Sequence, residues 1–176
     1  MQKILLLLNI SFITLSSFAQ LTITPKCPEI DIDILDGIIN KTLTPNSTVG
    51  QIKLNLPCFT SFEEEGTDAE CGAEVFYKDK DITFYPTRNY IEIGPAFKGN
   101  MTLPLMGAAR DDLFKMLGYP MIKDIKWDAF QSAYGMIILY YDADSKVNKI
   151  QFSTESAKTI QLCEKTSDET ISNDPK

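Results

Sequence analysis

The chain has 176 residues, with 17 basic against 24 acidic side chains, no histidine and a net charge of −7. That length suits one domain able to bury its own core without a metal. The acidic balance argues against nucleic acid and anionic membranes as partners, because both reward Lys and Arg, and the missing imidazole removes the commonest general base and metal ligand.

Residues 1–19 read as a secretory signal peptide. Lys3 supplies the positive start, Ile4 to Leu8 and Ile10 to Leu15 the apolar stretch, and Ser17-Phe18-Ala19 the small residues a peptidase reads. The apolar part is shorter than the roughly 20 residues of a membrane span. Cleavage before Gln20 leaves 16 basic against 24 acidic residues, a balance of −8, and no cysteine at the new terminus to carry a lipid. The protein is therefore expected to be exported, periplasmic or secreted, with no membrane insertion after cleavage.

Ile30-Asp31-Ile32-Asp33-Ile34 alternates strictly, the pattern of a half-buried strand. Asp36-Gly37 is a hairpin turn signal, with Ile38 to Leu43 as the return strand. A helix follows, with Asn46 or Ser47 as its cap; Val49, Ile52 and Leu56 form its apolar stripe, and Pro57 ends it. Phe59 to Glu70 is polar and acidic and reads as a loop. Val75 to Tyr77, Ile82 to Tyr85 and Tyr90 to Ile93 are short strands, with Ile82, Phe84, Ile91 and Ile93 pointing inward at period two.

A second, similar series starts near Phe97. Met101 to Leu105 is its lead-in strand and Arg110 to Leu117 its helix, with Leu113, Met116 and Leu117 facing the core. Gly118 suits a left-handed cap, and Pro120 stops continuation. Met121 to Ser132, with the single tryptophan Trp127, reads as a loop. Met136 to Tyr141 is a strand covered on both faces, Asp142 to Ser145 its turn, and Lys149 to Phe152 its partner. Thr159 to Leu162 reads as an edge strand, and 164–176 as a disordered polar tail. The expected fold is α+β: two tandem hairpin–helix–hairpin repeats, about 30–94 and 97–153, within one domain of residues 20–163. Together they form one mainly antiparallel sheet with helices on one face.

Four cysteines, Cys27, Cys58, Cys71 and Cys163, imply two disulfides in an exported chain, with three connectivities open. Cys58–Cys71, closing the acidic loop, and Cys27–Cys163, tying the ends, are favoured. No C-x-x-C pair occurs, so no metal and no cofactor is expected.

The two helix endings, Val49, Ile52, Leu56, Pro57 and Leu113, Met116, Leu117, Gly118, Pro120, each followed by strands, resemble one superfamily. It contains the tandem-repeat β-lactamase inhibitor proteins and the small outer-membrane assembly lipoproteins. The resemblance spans roughly Ile30 to Phe152. The lead-in hairpin brings the chain closer to bacterial immunity-type proteins, which neutralise a rival's toxin. The first copy lacks the Gly before Pro57, and no contact residues of the family carry over.

No nucleophile elbow, S-x-x-K or phosphate loop occurs, so the chain is read as non-catalytic. Asp142-Ala143-Asp144-Ser145 lacks the central Gly and distal Glu of a calcium loop and reads as a turn. The expected function is an exported immunity or inhibitor protein that occludes a partner such as a basic toxin or enzyme. An envelope assembly module and a carboxylate-dependent hydrolase are the alternatives. The expected contacts are Tyr85 and Tyr90 on an exposed sheet face, with Glu63, Glu64, Glu65, Asp68 and Glu70 steering a cationic partner.

Overall fold

The computed structural model describes residues 27–64 and 71–163. The expected signal peptide, residues 65–70 of the acidic loop and the C-terminal tail lie outside the described residues.

Strand β1 (Asp31–Asp33) turns at Gly37, whose φ is 65°, into β2 (Ile38–Ile39), with Ile32 opposite Ile39. The return strand is shorter than its sequence pattern implies. Asn40 and Lys41 take φ of 47° and 64°, and this bends the chain back so that Leu43 and Ile39 exchange backbone hydrogen bonds.

Helix α1 (Val49–Asn55) is capped by Thr48, not by Asn46 or Ser47. Thr48 Oγ1 accepts from the Gln51 N–H at 3.3 Å, and Gln51 Oε1 accepts from the Thr48 N–H at 2.9 Å. This reciprocal box satisfies two of the orphaned donors of the helix start. Ser47 is occupied one step earlier, accepting the Thr44 N–H. Ile52 and Leu56 are buried and Val49 packs beside them.

Four strands follow α1: β3 (Ser61–Glu63), β4 (Glu74–Tyr77), β5 (Ile82–Tyr85) and β6 (Tyr90–Ile93). β3 occupies part of what reads as an acidic loop. It is a strand because Phe62 turns toward α1 while Ser61 and Glu63 face the other way, with Glu63 opposite Glu74. The lead-in strand of the second series, β7 (Asn100–Met101), is only two residues long and pairs parallel with β1, giving a three-stranded sheet β2-β1-β7.

Helix α2 (Arg110–Leu117) has the boundaries its sequence implies. Leu113 is fully buried, while Met116 and Leu117 lie half-buried against the core. Gly118 ends it with φ 77° and ψ −161°, a glycine-favouring conformation distinct from the left-handed helical cap.

Four more strands follow α2: β8 (Ile122–Lys123), β9 (Trp127–Gln131), β10 (Met136–Tyr141) and β11 (Val147–Ser153). The segment 121–132 is thus mostly strand, not loop. The eight strands form one sheet in the order β3-β4-β5-β6-β11-β10-β9-β8, and every neighbouring pair is antiparallel. The architecture is mixed α+β. Each helix precedes a run of four strands, and the two runs meet where β6 pairs with β11.

The inner face carries Val75, Phe84, Ile91, Ile93, Phe130, Leu139, Ile150 and Phe152. These pack with Ile52, Leu56 and Leu113 of the helices and with Ile32 and Ile39 of the small sheet in one core. Tyr134 fastens the small sheet to this core: its hydroxyl donates to the Ile34 carbonyl at 2.9 Å, and its ring lies against Gly37. Thr159 to Leu162 is not an edge strand. Residues 154–163 run as a strap over the outer face of the large sheet, with Ala157, Ile160 and Leu162 against Met136 and Ile138.

Candidate interaction surface

Tyr85 and Tyr90 do point away from Phe84 and Ile91, as alternation requires, but they are not exposed. Their rings stack at 4.4 Å between centroids, and Leu162 and Cys163 of the strap pack over them. The Cys163 N–H donates to Tyr90 Oη at 3.0 Å. Arg88 clamps the site, with Nε on the Cys71 carbonyl at 2.9 Å and Nη1 on the Gln161 carbonyl at 3.3 Å. Burial pushes both phenols up, with Glu74 and Glu92 adding to the effect at Tyr85. The expectation that these two rings form an open binding face is therefore corrected: a distant segment of the same chain already covers it.

The disulfides are Cys27–Cys58 and Cys71–Cys163, with Cα separations of 5.6 and 5.4 Å. This corrects the favoured pairing of Cys58 with Cys71 and of Cys27 with Cys163. The acidic loop is not stapled across its own base. Cys58, just after α1, holds the segment leading into β1, and Cys71, just before β4, holds the far end of the strap. Two bridges are what an oxidising, exported environment permits.

The large sheet has two ends. At the β3 end, Glu63 and Glu64 are exposed, while Glu65, Asp68 and Glu70 lie outside the described residues. Phe62 is also exposed there, with Lys53 Nζ 3.4 Å from its ring centroid, and the neighbouring helix residue Leu54 is 82 % exposed. At the β8 end, Tyr119 is 90 % and Ile125 is 89 % exposed, with Met121 and Ile122 also open. Phe114 packs on Tyr119 at 5.6 Å, and Lys123 Nζ lies 5.4 Å from the Phe114 ring. Exposed apolar side chains gathered in one place mark contact surfaces far better than isolated ones do. This second end was missed in the sequence because its apolar residues follow neither a helical nor a strand period. The only signal was their density between Tyr119 and Ile125.

The polar clusters elsewhere are closed on themselves. Asp128, fully buried on β9, accepts from Arg110 Nε at 2.9 Å, from Arg110 Nη2, and from the Tyr141 hydroxyl at 2.8 Å. Arg110 also donates to the carbonyls of Asp124 and Ile125. On the outer face, Tyr140 donates to Gln151 Oε1 at 2.8 Å, Gln151 Nε2 donates to Glu92 Oε2 at 2.7 Å, and Lys149 lies 3.5 Å from the same carboxylate. Asp142 Oδ1 accepts from the Asp144 and Lys146 N–H groups, the hydrogen bonding of a turn.

A groove of about 450 Å³ lies on the three-stranded sheet beside Asp31, Asp33 and Lys41. Its acids are engaged by their neighbours: Asp31 by Asn100 Nδ2 at 2.8 Å, and Asp33 by the Leu35 N–H at 3.2 Å. No metal-binding group of His, Cys, Asp and Glu occurs among the described residues. No family model, no curated protein and no solved structure matches this chain.

Proposed function

We propose that this chain is an exported, non-catalytic binding protein that recognises another protein through the ends of its large sheet. The observation that carries the reading is the concentration of exposed Tyr119, Met121, Ile122 and Ile125 at one end, with Phe62 at the other. Tyr is a favoured anchor of protein interfaces, and large aliphatic side chains supply desolvated area. The closed state of the polar networks supports the same reading, since each carboxylate in them already serves a structural partner.

Within this reading the protein is an immunity or inhibitor protein that occludes a basic toxin or enzyme. Glu63 and Glu64, continuing into Glu65, Asp68 and Glu70, steer the cationic partner, as charge complementarity does in fast associations. The order of one helix followed by four strands, present twice, supports the resemblance to the tandem-repeat inhibitor superfamily and a duplicated origin.

The test is chemical cross-linking in the native envelope, followed by purification and mass spectrometry, comparing the wild type with Tyr119→Ser/Ile125→Ser and with Glu63→Gln/Glu64→Gln. One protein partner, lost or diminished in a variant that still folds, is expected. A partner captured equally by both variants would overturn the assignment to the sheet ends.

A further inference from the structure

We propose that the two ends of the large sheet also fit each other, so that β8 of one molecule docks on β3 of a second copy, head to tail. The inference rests on the reading of the sheet ends as contact surfaces and names one occupant for them.

Topology allows this docking. The sheet has eight strands and every neighbouring pair is antiparallel. In an even-numbered, wholly antiparallel sheet the two terminal strands run in opposite directions. A copy placed alongside in the same orientation therefore brings its β3 antiparallel to β8. The pattern continues across the junction without a parallel step, and antiparallel strands pair slightly better per residue.

The two ends also differ in charge. β3 presents Glu63 and the following residue Glu64; the β8 end presents Lys123 and Lys126. Each end also carries one opposing charge, Lys53 beside β3 and Asp124 beside β8, so the balance stays acidic at one end and basic at the other. Lys53 sits on the Phe62 ring at 3.4 Å, and Asp124 Oδ1 accepts the Lys126 N–H at 3.0 Å. Pairing like ends would set Glu63 beside Glu63 or Lys123 beside Lys123, and like charges across strands destabilise. Opposite ends attract, so the head-to-tail arrangement is selected.

Apolar area is open at both ends as well: Phe62 at one, Tyr119, Ile122 and Ile125 at the other. Charges on edge strands commonly guard against pairing. Here the two ends differ in sign, so their charges oppose only the pairing of like ends. Such a contact is heterologous and does not close, so it builds short open chains rather than a symmetric dimer. The net charge of −7 opposes long ones.

Sedimentation velocity of the oxidised full mature chain over a wide concentration series tests this. The wild type should associate progressively, without stopping at a dimer. Glu63→Lys/Glu64→Lys makes both ends basic, and Lys123→Glu/Lys126→Glu makes both acidic. Each variant alone should associate about tenfold more weakly, the scale of losing two cross-strand ion pairs and gaining repulsion. An equimolar mixture of the two should recover association, because each variant then offers the end the other lacks. Circular dichroism establishes that both variants fold. A wild type that stays monomeric throughout, or a mixture no better than its components, overturns the proposal. A wild type that stays monomeric yet keeps its cross-link to a foreign protein would refute this inference alone and leave the sheet-end reading standing.

Discussion

Replacing Asp128 removes the fastener between α2 and the last strands of the sheet. Its carboxylate is fully buried and takes three hydrogen bonds, two from the Arg110 guanidinium and one from the Tyr141 hydroxyl. Asp128→Ala strands a cation and a half-buried phenol. Breaking a buried pair this way costs about 3–5 kcal/mol. The Arg110 side chain keeps 18 % of its surface in water and two carbonyl acceptors, which places the cost near the lower bound. We expect about 3 kcal/mol, and about 2 for Asp128→Asn, which keeps the shape but loses the charge.

Arg110→Met/Asp128→Leu should recover much of the loss, because both charges leave together. Urea unfolding with the disulfides intact reads these differences as midpoint shifts at constant slope. A cost below about 1 kcal/mol for Asp128→Ala, or strictly additive single and double variants, would show that the pair is not coupled as described. Because Arg110 also holds the Asp124 and Ile125 carbonyls, its loss should loosen the Tyr119–Ile125 surface, visible as faster amide exchange there.

Non-reducing peptide mapping should find Cys27 joined to Cys58 and Cys71 to Cys163. Cys71→Ser/Cys163→Ser, which opens a separation of 92 residues, should cost up to about 4–5 kcal/mol in the chain-entropy model. Leu113→Ala should cost about 2–5 kcal/mol and lower a single thermal transition, with Leu117→Ala costing less because that side chain is only half-buried. Gly37→Ala should destabilise by more than about 1 kcal/mol, because its φ of 65° favours glycine and the new methyl would sit 2.6 Å from the Tyr134 ring. Burial raises the phenols of Tyr77, Tyr85, Tyr90, Tyr134 and Tyr141 above their usual 10.0. Their contribution is therefore complete below about pH 10 and drains away as pH rises, so tyrosinate absorbance and loss of circular dichroism should appear together at alkaline pH.

The local signals carried the elements whose apolar residues keep a clean period. α2 has the boundaries its stripe implies, and β5, β6 and β10 follow their runs. β9 was hidden because Asp128 sits on its inner face two residues before Phe130, and a buried carboxylate breaks the alternation that marks a strand. The partner that makes Asp128 tolerable, Arg110, lies 18 residues earlier and announces nothing about it. The period-two reading of Tyr85 and Tyr90 had the direction right and the exposure wrong. What covers them arrives from residues 154–163, a tertiary crossing that no local pattern encodes. Disulfide connectivity failed for the same reason, since spacing along the chain does not say which cysteines the strap and the small sheet bring together. The Tyr119–Ile125 surface was illegible because an exposed apolar residue looks, in sequence, like one awaiting a core.

Site-resolved photo-cross-linking in the native envelope tests most directly whether the sheet ends, rather than the covered aromatic face, meet the partner. A photoreactive residue placed at Phe62, at Ile125, or at Lys158 on the exposed side of the strap samples the two ends and the outer face in turn. We expect a protein adduct from position 62 or 125 and none from 158; an adduct from 158 alone would contradict the account.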